Sequence, residues 1–148
     1  MRSNLLIFLF FLTNAVFSID NIISPFERFN MEIEEFIPTI QQELIFADYP
    51  NMTDQQSQEQ IRTLFPMLNL RIQELRNLGL EADKNRKEVQ HKMCHSKHIF
   101  YYLKLEKQLK KLQKELVGFN ITAEKSRKML YDIYKAIKDW KKFSSRPC

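Results

Sequence analysis

The chain has 148 residues, a formal charge of +5, two Gly and two Cys. The length suits a single domain. Gly79 and Gly118 lie too far apart for a Gly-rich phosphate loop, and two Cys exclude a disulfide-dense scaffold or a four-cysteine zinc site. Scarce Gly with abundant Leu, Glu, Gln and Lys favours an all-α chain over a sheet protein.

Residues 1–18 read as a secretory signal peptide. Arg2 supplies the positive start, Leu5 to Leu12 (LLIFLFFL) a short apolar run, and Val16 and Ser18 the positions before a cut after about Ser18. Thr13 and Asn14 break the run, which falls short of the roughly 20 apolar residues of a spanning helix. No later segment reads as transmembrane, so residues 19–148 are expected as a secreted, extracellular product. The triplets Asn51-Met52-Thr53 and Asn120-Ile121-Thr122 mark Asn51 and Asn120 as glycosylation sites.

Four helices are expected, over about 25–47, 54–78, 83–117 and 123–143. Ser24-Pro25-Phe26-Glu27 opens the first with a capping box and Pro at the first helical position. Phe26, Phe29, Ile33, Phe36 and Ile40 then form one apolar face. The second helix follows Thr53 or Asp54 as N-cap, with Ile61, Leu64/Phe65, Leu68, Ile72 and Leu75 as its stripe. Pro38 and Pro66 should kink these helices. Gly79-Leu80 and Gly118-Phe119 read as left-handed glycine stops of the second and third helices. Paired about a residue sum of 101, the first two stripes make an antiparallel hairpin.

The third and fourth helices carry the sharpest pattern. His91, His95, His98, Tyr102, Leu105, Leu109, Leu112, Leu116 and Phe119 alternate in steps of four and three, a coiled-coil seam. Ala123, Ser126, Leu130, Ile133, Ile137 and Trp140 do the same. Folded about a sum of 242, Trp140 faces Tyr102 and Ile133 faces Leu109. Cys94 then stands opposite Cys148, and an oxidising compartment predicts the Cys94–Cys148 disulfide. Val89, Met93, Phe100 and Leu103 form a second apolar stripe, nearly opposite the seam. It predicts a third helix sandwiched between the first hairpin and the fourth helix. The architecture expected is an antiparallel up-down-up-down four-helix bundle with a long third helix.

His91, His95 and His98 share one helix face and are candidate zinc or copper ligands, with a reduced Cys94 as a fourth. No carboxylate falls in the same short segment, and the expected disulfide removes the thiol. A polar end of the seam, covered by residues 144–147, is the favoured reading, and no cofactor is expected. A helical histidine cluster would also serve as a pH sensor. GxSxG and HExxH are absent, and the acidic residues suit solvated helix faces, so the chain reads as non-enzymatic.

Charge is divided unevenly. Residues 19–83 hold 12 acids and four bases, whereas residues 84–148 hold six acids and 18 bases. The halves attract one another, and the basic half also suits an anionic partner. In an up-down bundle both acceptor triplets share one end, leaving a bare basic pole with Lys84, Arg86, Lys87 and Lys92. The function expected is a secreted helical interaction protein, ligand- or effector-like. It would bind an extracellular protein or anionic partner at that pole or the adjoining face of the last two helices, and nucleic acid is not expected. The alternative is a carrier of a small apolar ligand or lipid, its cavity lined by some of the 12 Phe and by Met67, Met93 and Met129.

Overall fold

The computed structural model describes residues 23–84 and 88–144, except the side chains of residue 83 and residues 88–96. The described residues form α1 (Pro25–Ala47), α2 (Asp54–Asp83), α3 (Glu88–Val117) and α4 (Ala123–Ser144), with no strand among them. No described helix is long and apolar enough to cross a membrane.

The starts of the helices follow local chemistry. Ser24 Oγ accepts from the Glu27 N–H at 3.2 Å while Glu27 Oε2 accepts from the Ser24 N–H at 3.0 Å. Thr53 and Gln56 make the same reciprocal pair for α2, at 3.1 and 2.9 Å. Each box satisfies N–H groups that a helix start leaves without partners. Both α1 and α2 continue through their prolines. Pro38 and Pro66 sit on exposed faces, where the lost ladder bond is replaced most cheaply by water.

The stripes turn inward. Phe29, Ile33, Phe36 and Ile40 of α1 are buried with Ile61, Leu64, Leu68, Ile72 and Leu75 of α2. From the other hairpin come Leu105, Leu109 and Leu112 of α3 and Leu130, Ile133, Ile137 and Trp140 of α4. Truncating one such Leu or Ile to Ala costs about 2–5 kcal/mol.

Contacts between the helices step along them in opposite directions. Gln60 Nε2 of α2 donates to the Glu43 carbonyl of α1 at 2.9 Å, and Arg71 pairs with Glu32 at 3.8 Å. Both pairs sum to 103, close to the expected 101. Between α3 and α4, Glu115 pairs with Lys125 at 2.7 Å and Lys104 with Asp139 at 3.8 Å, near the expected sum of 242. Asp48, the C-cap of α1, meets Arg127 of α4 at 3.3 Å, and Glu34 meets Lys141 at 3.3 Å. These last two link the acidic half to the basic half. Helices α2 and α3 also pack together, and α2 touches α4.

Side by side, the two hairpins reveal a correspondence at a constant offset of 69 residues. Phe29, Ile33, Phe36 and Ile40 match His98, Tyr102, Leu105 and Leu109; Ser57, Ile61, Leu64 and Leu68 match Ser126, Leu130, Ile133 and Ile137. All are buried except the half-buried Tyr102. Asn51 and Thr53 match Asn120 and Thr122. The same shift exchanges the α1–α4 packing with the α2–α3 packing. The two hairpins thus repeat one spacing of inward positions over these pairs, though not throughout: Ile72 is buried where Lys141 is half-buried, and Trp140 is buried where Arg71 is half-buried.

Four sequence expectations change. Helix α2 does not stop at Gly79 but runs on to Asp83. Gly79 serves close approach instead, because a Cβ there would lie 2.9 Å from His98 Nδ1. At the end of α3 the left-handed residue is Phe119, φ 53°, and not Gly118. The Schellman pattern is present around it: Asn120 N–H donates to Glu115 O at 3.2 Å and Phe119 N–H to Leu116 O at 3.3 Å. Gln58 Nε2 of α2 holds the Phe119 carbonyl at 3.1 Å, and the Arg62 guanidinium lies 5.9 Å from its ring. Those contacts offset the cost of a bulky residue at positive φ.

Phe100 and Leu103 do not pack on the first hairpin; they are 61% and 53% exposed. One inward stripe of α3 serves both neighbours, because α2 packs along its flank, where Arg76 covers Tyr102 and a groove runs between Phe65 and Ile72 of α2 and Tyr102 and Leu109 of α3. Finally, Trp140 bonds to His98, one turn before Tyr102, while Arg76 covers the Tyr102 ring at 5.0 Å.

Candidate functional site

His98 is the member of the histidine group whose side chain is described. It is buried, and its Nδ1 accepts the Trp140 indole N–H at 2.8 Å. The indole only donates, so this nitrogen presents its lone pair. Phe29 and Phe143 close edge-on to the ring, each with centroids 5.2 Å away. His98 is thereby a core residue that supplies an acceptor to a buried Trp. The side chains of His91, His95 and Cys94, and all of Cys148, lie outside the described residues. Among the described residues no group of three or more His, Cys, Asp or Glu is arranged to hold a metal ion.

The α1–α2 and α3–α4 loops are neighbours. The Ala123 N–H, at the start of α4, donates to Asp54 Oδ1, at the start of α2, at 2.8 Å. One carboxylate thus serves two helix N-termini, where negative charge is favoured. Asp54 was visible in the sequence only as a possible cap of its own helix; its reach to Ala123 spans 69 positions. Thr53 and Thr122, the last residues of the acceptor triplets, cap α2 and α4 with their hydroxyls, Thr122 Oγ1 accepting from the Lys125 N–H at 3.2 Å. Asn51 and Asn120 are exposed, and Ile121 between Asn120 and Thr122 is buried.

The first loop holds a feature that the seam patterns missed. Tyr49 O accepts the Met52 N–H at 3.1 Å, closing a β-turn with Pro50 and Asn51 at its centre. Phe46 and Tyr49 stack at 6.2 Å and 21°, yet are 49% and 61% exposed. With Asn51, Met52 and Gln56 they line an open groove of about 340 Å³. Phe46 lies off the buried stripe of α1, so a periodicity search has no reason to select it. The Tyr49-Pro50-Asn51 run is the sequence signal that could have marked a turn there.

The outward faces of the two hairpins differ. On α3, Phe100 and Leu103 are followed by exposed Lys104, Lys107, Lys110, Lys111 and Lys114. At the corresponding positions α1 carries Met31, Glu34, Glu35, Pro38, Gln41, Gln42 and Ile45, also exposed. Of the basic pole, Lys84 is exposed, whereas the side chains of Arg86, Lys87 and Lys92 lie outside the described residues. A further groove of about 160 Å³, between α2 and α3, is bounded by Phe65, Ile72, Tyr102 and Leu109. Comparison with protein-family models, with curated proteins and with solved structures finds no match to this chain.

Proposed function

We propose that the chain is a secreted helical interaction protein, non-enzymatic, that binds an anionic extracellular partner through the outward face of α3. The supporting observation is the contrast between two matched surfaces. The 69-residue offset matches the outward face of α1 to that of α3, but only α3 sets two large exposed apolar residues, Phe100 and Leu103, at the head of five exposed lysines. Large exposed apolar residues beside a single-sign charge row suit a binding surface. By sequence, Lys84, Arg86, Lys87 and Lys92 extend the basic character toward the adjacent pole.

Secretion rests on the residue 1–18 signal pattern and on the two acceptor triplets. The matched positions of Asn51 and Asn120 before capping Thr residues support glycosylation at both. The contacts running in opposite directions between neighbouring helices support an up-down-up-down order. For the Cys94–Cys148 bond, Phe143 touches His98, and Cys94 is one α-helical turn, about 6 Å, before His98. Four residues after Ser144 reach up to about 13 Å, enough to bring Cys148 there.

A carrier of apolar ligands needs an enclosed chamber. Phe36, Ile40, Leu68 and Leu112 fill interior positions, the α2–α3 groove falls below the roughly 300 Å³ of ordinary ligand pockets, and the larger hollows beside Phe46 and beside Tyr131 are open surface grooves. Surface binding is therefore the stronger reading.

The test compares the secreted protein with Lys107→Glu/Lys111→Glu/Lys114→Glu and with Glu34→Lys/Glu35→Lys on heparin and in crosslinking to extracellular proteins. The α3 triple variant is expected to lose salt-dependent retention and crosslinked partners while the α1 variant keeps both. Equal behaviour of the two variants would remove the reading.

A further inference from the structure

The groove beside Asn51 brings together an open aromatic pair, the acceptor Asn and a side-chain amide. Its floor is a stacked aromatic pair, Phe46 and Tyr49, left half open to solvent. One wall is the acceptor Asn51 itself, held at the third position of the Tyr49–Met52 turn. Gln56 also lines it, amid apolar side chains; its Oε1 accepts the Thr53 N–H at 2.9 Å, which leaves its Nε2 as the donor. An apolar surface with a few placed polar groups is the composition of a small-ligand site.

The repeat supplies an internal contrast. Shifted by 69 residues, Phe46, Tyr49 and Gln56 become Glu115, Gly118 and Lys125. Glu115 and Lys125 close on one another as an ion pair at 2.7 Å. The second loop therefore carries an acceptor Asn without a stacked aromatic pair: a salt bridge stands at the positions of Phe46 and Gln56, and the one aromatic beside Asn120, Phe119, lies against Arg62. The helical frame tolerates either arrangement, so the frame does not explain the exposed aromatic pair.

We propose that this groove is the seat of the first N-acetylglucosamine of a glycan on Asn51, which packs its apolar ring face on Tyr49 and Phe46 and presents its acetamide to Gln56. The proposal rests on the secretory, glycosylated reading above. The occupant follows from the attachment point: a sugar bonded to Asn51 Nδ2 is tethered at the groove wall. Its local concentration is then set by the linkage and not by solution, so a weak contact suffices to fill the seat. Covering the aromatic pair removes exposed apolar surface only in the folded chain, and the sugar therefore stabilises the fold.

The experiment uses the full chain secreted from a eukaryotic cell in an Asn120→Gln background, with Asn51 occupancy measured by mass spectrometry. Thermal unfolding is compared for the intact glycan, the glycan trimmed to one N-acetylglucosamine, and the protein with its glycan removed. The one-sugar form is expected to keep a gain of about 3 °C over the deglycosylated form, the shift that a modest stabilisation produces in a domain of this size. Tyr49→Ala is expected to abolish that gain, and nuclear Overhauser contacts are expected between the acetamido methyl and the Tyr49 ring. The reciprocal Asn51→Gln background, with sugar on Asn120 alone, is expected to show no one-sugar gain. If Asn51 is occupied and the one-sugar and sugar-free forms melt together, or the gain survives Tyr49→Ala, the seat is overturned while the secretory reading stands. A secreted product bare at Asn51 overturns the seat and the glycosylation assignment at that residue together.

Discussion

The first hairpin and the second are built on one pattern of burial, but they end differently. At positions matched by the 69-residue offset, the first hairpin has Phe29 and Arg71 where the second has His98 and Trp140. His98 and Trp140 are buried and bonded to one another. Arg71 instead turns its guanidinium over the Phe36 ring at 5.3 Å and toward Glu32. At the loop end the first hairpin exposes Phe46 and Tyr49 where the second has Glu115 and Gly118. The difference teaches where the frame is demanding. The aliphatic pairs Ile40/Leu109, Ile61/Leu130, Leu64/Ile133 and Leu68/Ile137 keep size and polarity, because a void or misfit in the core costs several kcal/mol. Both ends and the outward faces are free to diverge, and the features proposed to bind lie there.

The largest expected effect tests the first divergence. Trp140→Ala should cost about 3–5 kcal/mol by chemical denaturation, as for other large buried aromatics. Arg71→Ala, at the matched position but half-buried in a 3.8 Å ion pair, should cost no more than about 1 kcal/mol. Similar costs would mean that the two hairpins are equally dependent on these positions, contrary to their burial.

Gly79→Ala comes next. Alanine in an α-helix interior ordinarily gains about 1 kcal/mol over glycine. Here its Cβ would press on the His98 ring that receives the Trp140 bond. A net loss of about 1–3 kcal/mol, the usual cost of overpacking, is expected. A gain in denaturation midpoint would show that His98 yields without cost.

The smallest effect sharpens the comparison of the loops. Phe119→Gly removes the penalty of about 1–2 kcal/mol for a left-handed non-glycine residue. It also removes the Arg62 contact, worth about 0.5–1 kcal/mol at an exposed site. A net rise of about 0.5 kcal/mol is expected in equilibrium unfolding. A fall would mean that the grip of α2 on this loop outweighs backbone strain.

Much of this arrangement was legible in the residues alone. The stripes of Phe29 to Ile40, Ile61 to Leu75 and Leu130 to Trp140 needed only helical periodicity. Ser24 and Thr53 announced helix starts through contacts three residues long. Even the pairing sums near 101 and 242 followed from matching stripes across short connections. Local geometry dictates these features, and local geometry is set by neighbouring residues in the chain.

The remainder depended on residues far apart in sequence. Gly79 looked like a helix stop because glycine ends helices cheaply, yet its role is to admit His98 from another helix. Phe119 takes the left-handed position because Gln58 and Arg62 hold it there. Phe100 and Leu103 looked like core and are surface, since hydrophobicity shows what would gain from burial but not whether a neighbour arrives to bury it. The groove of Phe46 and Tyr49, and the repeat that makes Glu115 and Lys125 its counterpart, emerge only when the hairpins are set side by side. Sequence by itself determined the helices and their inward faces, because these obey short-range periodicity and capping. Tertiary structure alone decided which other faces remain open and what stands beside Asn51, because both depend on contacts between helices.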